Sequence, residues 1–228
     1  MKKVLAGFML LSAVVACKKE NKEAATDEPM ATEQTAEVKD TIAYADFGMD
    51  TSDLPKGLNV GDMAPQINMT TADKKNIALQ DLYKDQPVVV LFYRAYWCPV
   101  CVRHLGEFAQ KAKEIEAKGA KLVIITPETY DNVAKTKEET KTDFMTISDV
   151  DGSIMKAFDV DFKVTETYQE MIKEKLDASV AQTNATGEAV LPVPATFIID
   201  KGGKIVYKHF NPNYRERATV EEIVANLP

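Results

Sequence analysis

The chain has 228 residues, with 28 Lys and Arg against 35 Asp and Glu, a net charge of −7, and three cysteines. The acidic balance argues against a nucleic-acid partner, whose phosphates call for a basic face. The length suits one ordinary domain with its own core and a polar segment ahead of it, rather than several domains.

Met1-Lys2-Lys3 stand before an apolar run from Val4 to Ala16, the order of an export signal, and the run is too short to span a bilayer, which takes ~20 residues. Val14-Val15-Ala16-Cys17 resembles the lipobox of bacterial lipoproteins. That resemblance implies a signal peptide over 1–16 and a lipid on Cys17; an ordinary secretory signal with a chance Cys is the alternative. No other segment is apolar enough to cross a membrane. The expected location is therefore the cell envelope, tied to a bacterial membrane through Cys17 and facing the periplasm or cell surface, where disulfides persist. Residues 17–56 are rich in Lys, Glu, Thr, Ala and Asp, with no aromatic before Tyr44, and read as the lipidated Cys and a flexible tether. Lys18-Lys19-Glu20 is a weak pointer to sorting. The folded domain is expected over 57–228.

Within it, 67–71 and 76–79 read as a hairpin. Val88 to Tyr93 does not alternate and reads as a strand buried on both faces. A helix opens at the next Cys pair and runs to Lys118, with Gly119 past its end. Lys121 to Thr126 is a second buried strand. Pro127-Glu128 start a helix through Thr140, with Thr126 as cap. A short strand at 144–148, a short helix at 153–158 and a further helix at 165–176 follow, then a polar loop over 177–188. Strands at 196–200 and 204–208 form a hairpin around Lys201-Gly202-Gly203, and 219–226 close the chain as a helix. This order predicts an α/β fold, a mixed central sheet with helices on both faces and an N-terminal hairpin.

Cys98-Pro99-Val100-Cys101 carries the chemistry. A strand feeding a Cys pair into a helix N-terminus sets the thiols beside unpaired N–H groups and a partial positive charge, which favour thiolate over thiol. Cys98, nearer the helix start, is expected to be the more exposed and more acidic sulfur. A four-residue loop gains little from a permanent staple, so a Cys98–Cys101 disulfide points to redox turnover rather than stability. Cys98, Cys101 and His104 fan out along one helix and do not converge on a metal ion, and His209 lies far along the chain; neither metal nor cofactor is expected. Trp97 suits an apolar rim that meets a partner, with capping of the core as the alternative. Arg94 either lowers the Cys98 pKa or faces solvent. His104 and Glu107 read as surface helix residues. The helix beginning near Tyr168 either covers the site or simply packs. A buried proton-relaying carboxylate is expected, but no residue is identifiable as that group.

Gly61-Asp62-Met63-Ala64-Pro65, the run from Val90 to Cys101, and Pro194-Ala195-Thr196-Phe197-Ile198-Ile199-Asp200-Lys201-Gly202-Gly203 lie in one order. Together they resemble the alkyl hydroperoxide reductase/thiol-specific antioxidant family of the thioredoxin-like fold, over essentially all of 57–228. The resemblance implies a thiol-based oxidoreductase and gives Pro194 the place of a cis-proline facing the Cys pair, with Pro192 as its rival. It also places Arg94 and Cys98 where a peroxide site has Pro and Thr, Cys101 at the peroxidatic position, and Pro194 where that site has Arg. Loss of that Thr and Arg removes the charge stabilisation that peroxide cleavage needs. The favoured expectation is disulfide exchange in which Cys98 attacks and Cys101 resolves. The partners would be a thiol or disulfide substrate, protein or small molecule, and an electron donor or acceptor protein. A thiol peroxidase using Cys98 is one alternative, and a binding lipoprotein with an inert disulfide is another.

Overall fold

A computed structural model describes residues 43–72 and 74–228. The expected signal peptide, Cys17, Lys18-Lys19-Glu20 and the tether as far as residue 42 lie outside the described residues.

Nine strands are present among the described residues: β1 (Asn68–Thr70), β2 (Asn76–Ala78), β3 (Val88–Phe92), β4 (Lys121–Thr126), β5 (Met145–Ser148), β6 (Asp161–Lys163), β7 (Val190–Pro192), β8 (Ala195–Ile199) and β9 (Ile205–Phe210). The central sheet has the order β5-β4-β3-β8-β9. β3 pairs in parallel with β4 and antiparallel with β8, β4 pairs in parallel with β5, and β8 pairs antiparallel with β9. This is the predicted mixed sheet. β1 and β2 form the predicted hairpin.

The helices are α1 (Leu79–Tyr83), α2 (Pro99–Ala117), α3 (Tyr130–Thr140), α4 (Ser153–Ala157), α5 (Glu166–Leu176), α6 (Val180–Thr183) and α7 (Val220–Ala225). The unbroken apolar run of β3 follows from its position at the middle of the sheet. Val89, Leu91 and Tyr93 enter one core with Leu105 and Phe108 of α2 and Ile223 of α7. Val88, Val90 and Phe92 enter the other, with Ile154 and Met155 of α4. Successive side chains of a strand point to opposite faces, so a strand covered on both sides cannot alternate.

Several features differ from expectation. α3 starts at Tyr130, and its cap is Thr129, whose hydroxyl accepts from Asn132 N–H; this leaves Glu128 ahead of the helix. The stretch expected as a loop at 177–188 contains α6, and the antiparallel pair β6–β7 is an addition, because three-residue strands carry no readable alternation. Residues 44–54 do not behave as tether. Tyr44–Phe47 form a 3-10 turn, Met49 is 3% exposed in the core, and Thr165 N–H donates to Gly48 carbonyl at 3.0 Å. Four apolar side chains in that segment, Tyr44, Phe47, Met49 and Leu54, pack against the same core as α2. Lastly, no cis peptide occurs among the described residues, so the bond before Pro194 is trans. The chain runs extended from β7 into β8 with Val193 N–H held by Val160 carbonyl at 2.7 Å, and no sharp reversal is required there. Pro194 is buried, just ahead of β8 and beside the end of β3 that leads to the Cys pair.

Candidate active site

β3 ends at Phe92, six residues before Cys98, and the intervening loop delivers Arg94 and Trp97 before α2 begins at Pro99. Cys98 is the N-cap of α2: its Sγ accepts from Cys101 N–H at 3.3 Å. Pro99 at the first helical position has no N–H to leave orphaned and a φ already suited to the helix. The predicted strand-to-helix placement of the pair therefore holds. Its predicted exposure does not. Both thiols are 0% exposed, and both are free in this structure.

Two guanidinium groups reach the sulfurs from different elements. Arg94 is only 4% exposed; its Nη2 donates to Cys98 Sγ at 3.1 Å and its Nη1 to Tyr168 hydroxyl, also at 3.1 Å. Tyr214 covers it, with the guanidinium carbon 3.6 Å from the ring centroid, and Trp97 lies 5.7 Å away. Arg217, on the strap between β9 and α7, donates from Nη2 to Cys101 Sγ at 3.4 Å and from Nε to Tyr214 carbonyl at 2.6 Å. Arg94 thus points at the sulfur rather than into solvent. Trp97 is buried, and its Nε1 donates to Thr183 hydroxyl at 3.0 Å, so its ring is locked against α6.

Burial pushes both thiols up. At Cys101 that effect is overcome by the hydrogen bond from the Cys98 thiol, the charges of Arg217 and Arg94, and the Arg94 backbone N–H, so this thiol is held well below its usual range. Cys98, buried and with its proton shared toward Cys101, is pushed well above it. The two shifts run in opposite directions, Cys101 down and Cys98 up, as expected for two thiols that share a proton beside two cations. The acidic sulfur is therefore Cys101, the reverse of the assignment that proximity to the helix start suggests.

The carboxylate sought in the sequence is Glu128. It follows Thr126 and Pro127 at the end of β4, the parallel neighbour of β3, where strand ends of an α/β sheet converge on a site. It is 0% exposed; both carboxyl oxygens accept from Tyr96 N–H at 3.0 Å, and one accepts from Tyr93 hydroxyl at 3.2 Å. Burial pushes its pKa up to about 8, and the charge on Cys101 adds to the rise. A Glu after a buried strand is the available signal, masked by the usual preference for Glu in a helix's first turn.

His104, expected at the surface, is buried. One turn beyond Cys101, its Nε2 lies 3.1 Å from Ala218 carbonyl and its ring packs tilted against Phe108, centroids 4.7 Å apart. Burial and then the Arg217 charge lower its pKa. Glu107 is exposed, as expected. Tyr168 and α5 do cover the site. Arg217 and Tyr214 carry no sequence signal at all, since they come from a polar strap more than a hundred residues from the Cys pair.

Residues 60–208 match the family model described as the AhpC/TSA family. A Mycobacterium tuberculosis protein named as a putative peroxiredoxin is 26% identical over 155 residues, 68% of this chain and 86% of its own. The crystal structure of peroxidoxin BcpB from the same organism superposes with a TM-score of 0.57 at 22% identity, over 74% of this chain and 96% of that one. Reduced Prx3 from Vibrio vulnificus in complex with hydrogen peroxide gives 0.58 at 17% identity, over 74% and 97%. These two likenesses carry the thioredoxin-like fold. With a buried Cys pair set at a helix start between two guanidinium groups, and a family match covering most of the folded domain, the chain belongs to the AhpC/TSA family and is a thiol-based oxidoreductase.

Proposed function

We propose that the protein is a thiol peroxidase in which Cys101 attacks and Cys98 resolves. The observation that carries this reading is the pair of guanidinium groups on the two sulfurs, Arg94 buried and Arg217 half-buried. The motif register left a peroxide site without its Arg, because Pro194 stands there. Arg94 and Arg217 supply that charge from other elements. Burial of both sulfurs favours a small substrate over a folded disulfide-bearing partner, which needs an exposed attacking sulfur.

In the reaction, the Cys101 thiolate attacks one oxygen of R–O–O–H. The O–O bond breaks, Cys101 becomes the sulfenic acid and the leaving oxygen departs as R–OH after taking a proton. The guanidinium groups stabilise charge developing on that oxygen. The Cys98 thiol then displaces water from Cys101–SOH, forming the Cys98–Cys101 disulfide. An external dithiol reduces it, returning two electrons and two protons to the pair. The disulfide exchange expected from the sequence is thereby retained as the reductive half of the cycle. Glu128, protonated below about pH 8, is a proton reservoir beside the Tyr96 end of the motif.

The test is peroxide consumption with dithiothreitol as reductant. Wild-type protein should consume hydrogen peroxide in proportion to enzyme and Cys101→Ser should not, while Cys98→Ser, given peroxide with no reductant present, should form one sulfenic acid on Cys101 and stop. Equal rates in wild type and Cys101→Ser would overturn the reading. We further propose that the chain is lipid-anchored through Cys17 in the bacterial cell envelope, on the strength of Val14-Val15-Ala16-Cys17; fatty-acid labelling that survives Cys17→Ser would contradict this.

A further inference from the structure

Two residues three apart on α2 meet two consecutive residues of the strap between β9 and α7. Cys101 Sγ accepts from Arg217 Nη2 at 3.4 Å, and His104 Nε2 lies 3.1 Å from the carbonyl of Ala218, the next residue along. Positions three apart on a helix share a face, so the sulfur and the ring present themselves to the strap side by side. We propose that His104 is a positioning residue, which clamps the strap at Ala218 so that the guanidinium one residue earlier is seated on Cys101.

Three observations carry this. First, the strap has little else to fix it. Residues 211–219 contain neither helix nor strand, and between Asn213 and Thr219 only Ala218 is buried. Its backbone hydrogen bonds otherwise stay within the strap or run to the flanking β9 and α7. Among the described residues, the two contacts above are the only hydrogen bonds that join it to α2.

Second, the clamp has one direction. A carbonyl only accepts, so Nε2 carries the proton and the neutral ring is left with a bare Nδ1. That nitrogen is buried without a partner. A ring that merely filled the space beside Phe108 would escape this cost by being apolar, so the donor at Nε2 is what the imidazole adds.

Third, the clamp is uncharged. Burial and then the Arg217 charge hold the ring's pKa below its usual value, and the charges of Cys101 and Glu107 oppose that shift without reversing it. At neutral pH the ring therefore steadies the strap without setting a second cation against the guanidinium.

The role extends the peroxidase reading, because it sets the acidity of the attacking sulfur, yet it is measured without turnover. Ultraviolet titration of the reduced full-length protein gives the lower of the two thiol pKa values in wild type, His104→Phe, His104→Gln, Arg217→Gln and the double variant His104→Phe, Arg217→Gln. His104→Phe should raise that value toward the one in Arg217→Gln. His104→Gln, whose amide nitrogen reaches the place of Nε2, should stay near wild type. On the Arg217→Gln background, His104→Phe should add nothing, since a residue that acts through Arg217 has nothing left to position. Wild-type titration in His104→Phe, equal shifts in His104→Phe and His104→Gln, or a His104→Phe shift undiminished without Arg217 would each overturn the proposal. If His104→Phe does not fold, His104→Asn, whose amide stops short of Ala218, takes its place in the cycle. Peroxide reduction with dithiothreitol should fall roughly tenfold in His104→Phe, the order of one lost hydrogen bond. A wild type inert to peroxide overturns the peroxidase reading, while the titration still decides the role of His104.

Discussion

Replacing Glu128 by Gln isolates the energetic cost of a carboxyl group sealed beneath the site. The side chain is fully buried and its pKa is raised from 4.5 to about 8, chiefly by burial. The fold therefore binds this proton more tightly than the unfolded chain does. Relative stability is fully present below the unfolded value and is lost as pH rises to the folded one. Each pH unit between them costs about 1.4 kcal/mol, so the whole interval costs on the order of 5 kcal/mol. Gln keeps an oxygen for Tyr96 N–H and turns its amide toward Tyr93 and Thr126, whose hydroxyls can accept. The variant should match wild type near pH 5 and become the more stable protein as pH rises, the gap widening by about 1.4 kcal/mol per pH unit up to about pH 8 and staying constant beyond. Groups common to both proteins, such as His104, cancel in the difference. Urea unfolding at pH 5, 6.5 and 8.5 reads it directly. A stability difference that stays flat across that range would refute the assignment of a proton to Glu128. The same substitution should flatten the alkaline limb of the rate profile, because the ionised carboxylate opposes the Cys101 thiolate.

Arg217→Gln should raise the Cys101 pKa and slow peroxide reduction by roughly 10²-fold, the usual loss of one donor to developing oxyanion charge; ultraviolet titration of the thiolate and stopped-flow rates read the two effects. Tyr168→Phe strands the Arg94 Nη1 donor inside the core and should cost about 1–2 kcal/mol with a smaller loss of rate, measured by thermal unfolding and peroxide consumption. Gly48→Ala should destabilise by about 1–3 kcal/mol and lower activity, since φ there is +82° and a Cβ would lie 2.6 Å from the Tyr168 ring. An unchanged melting temperature in the Gly48→Ala variant would contradict the packing of 44–49 onto the site.

The sheet was legible where burial on both faces forces a continuous apolar run. Val88 to Phe92 shows this, and the Cys pair at the start of α2 follows from the strand's length and the Pro at position 99. What chemistry the pair performs was not legible, for three physical reasons. Arg217 and Tyr214 reach the site by tertiary convergence from a polar strap, and polarity is also what an idle loop displays. Glu128 has the composition of a helix start, and only the cap at Thr129 reveals that it stands outside the helix and inside the core. Proximity to a helix N-terminus ranks Cys98 as the acidic thiol, but two guanidinium groups and a shared proton outweigh a partial helix charge. His104 escapes a reading from helix position for a similar reason, since the surface it would have faced is covered by Ala218 and its neighbours. Short apolar punctuation in an otherwise polar stretch, Tyr44, Phe47, Met49 and Leu54, marks the true start of packing and is hidden by the composition around it.

The central claim is that Cys101 is the thiolate that meets the peroxide. Its most direct test is a single turnover in which fully reduced protein receives one equivalent of hydrogen peroxide with no other reductant, followed by peptide mapping. The account predicts rapid consumption with a Cys98–Cys101 disulfide in wild type, and in Cys98→Ser a sulfenic acid on Cys101 formed at a comparable rate. Peroxide left unconsumed by wild type, or a Cys101→Ser protein that oxidises Cys98 as fast as wild type reacts, would contradict it.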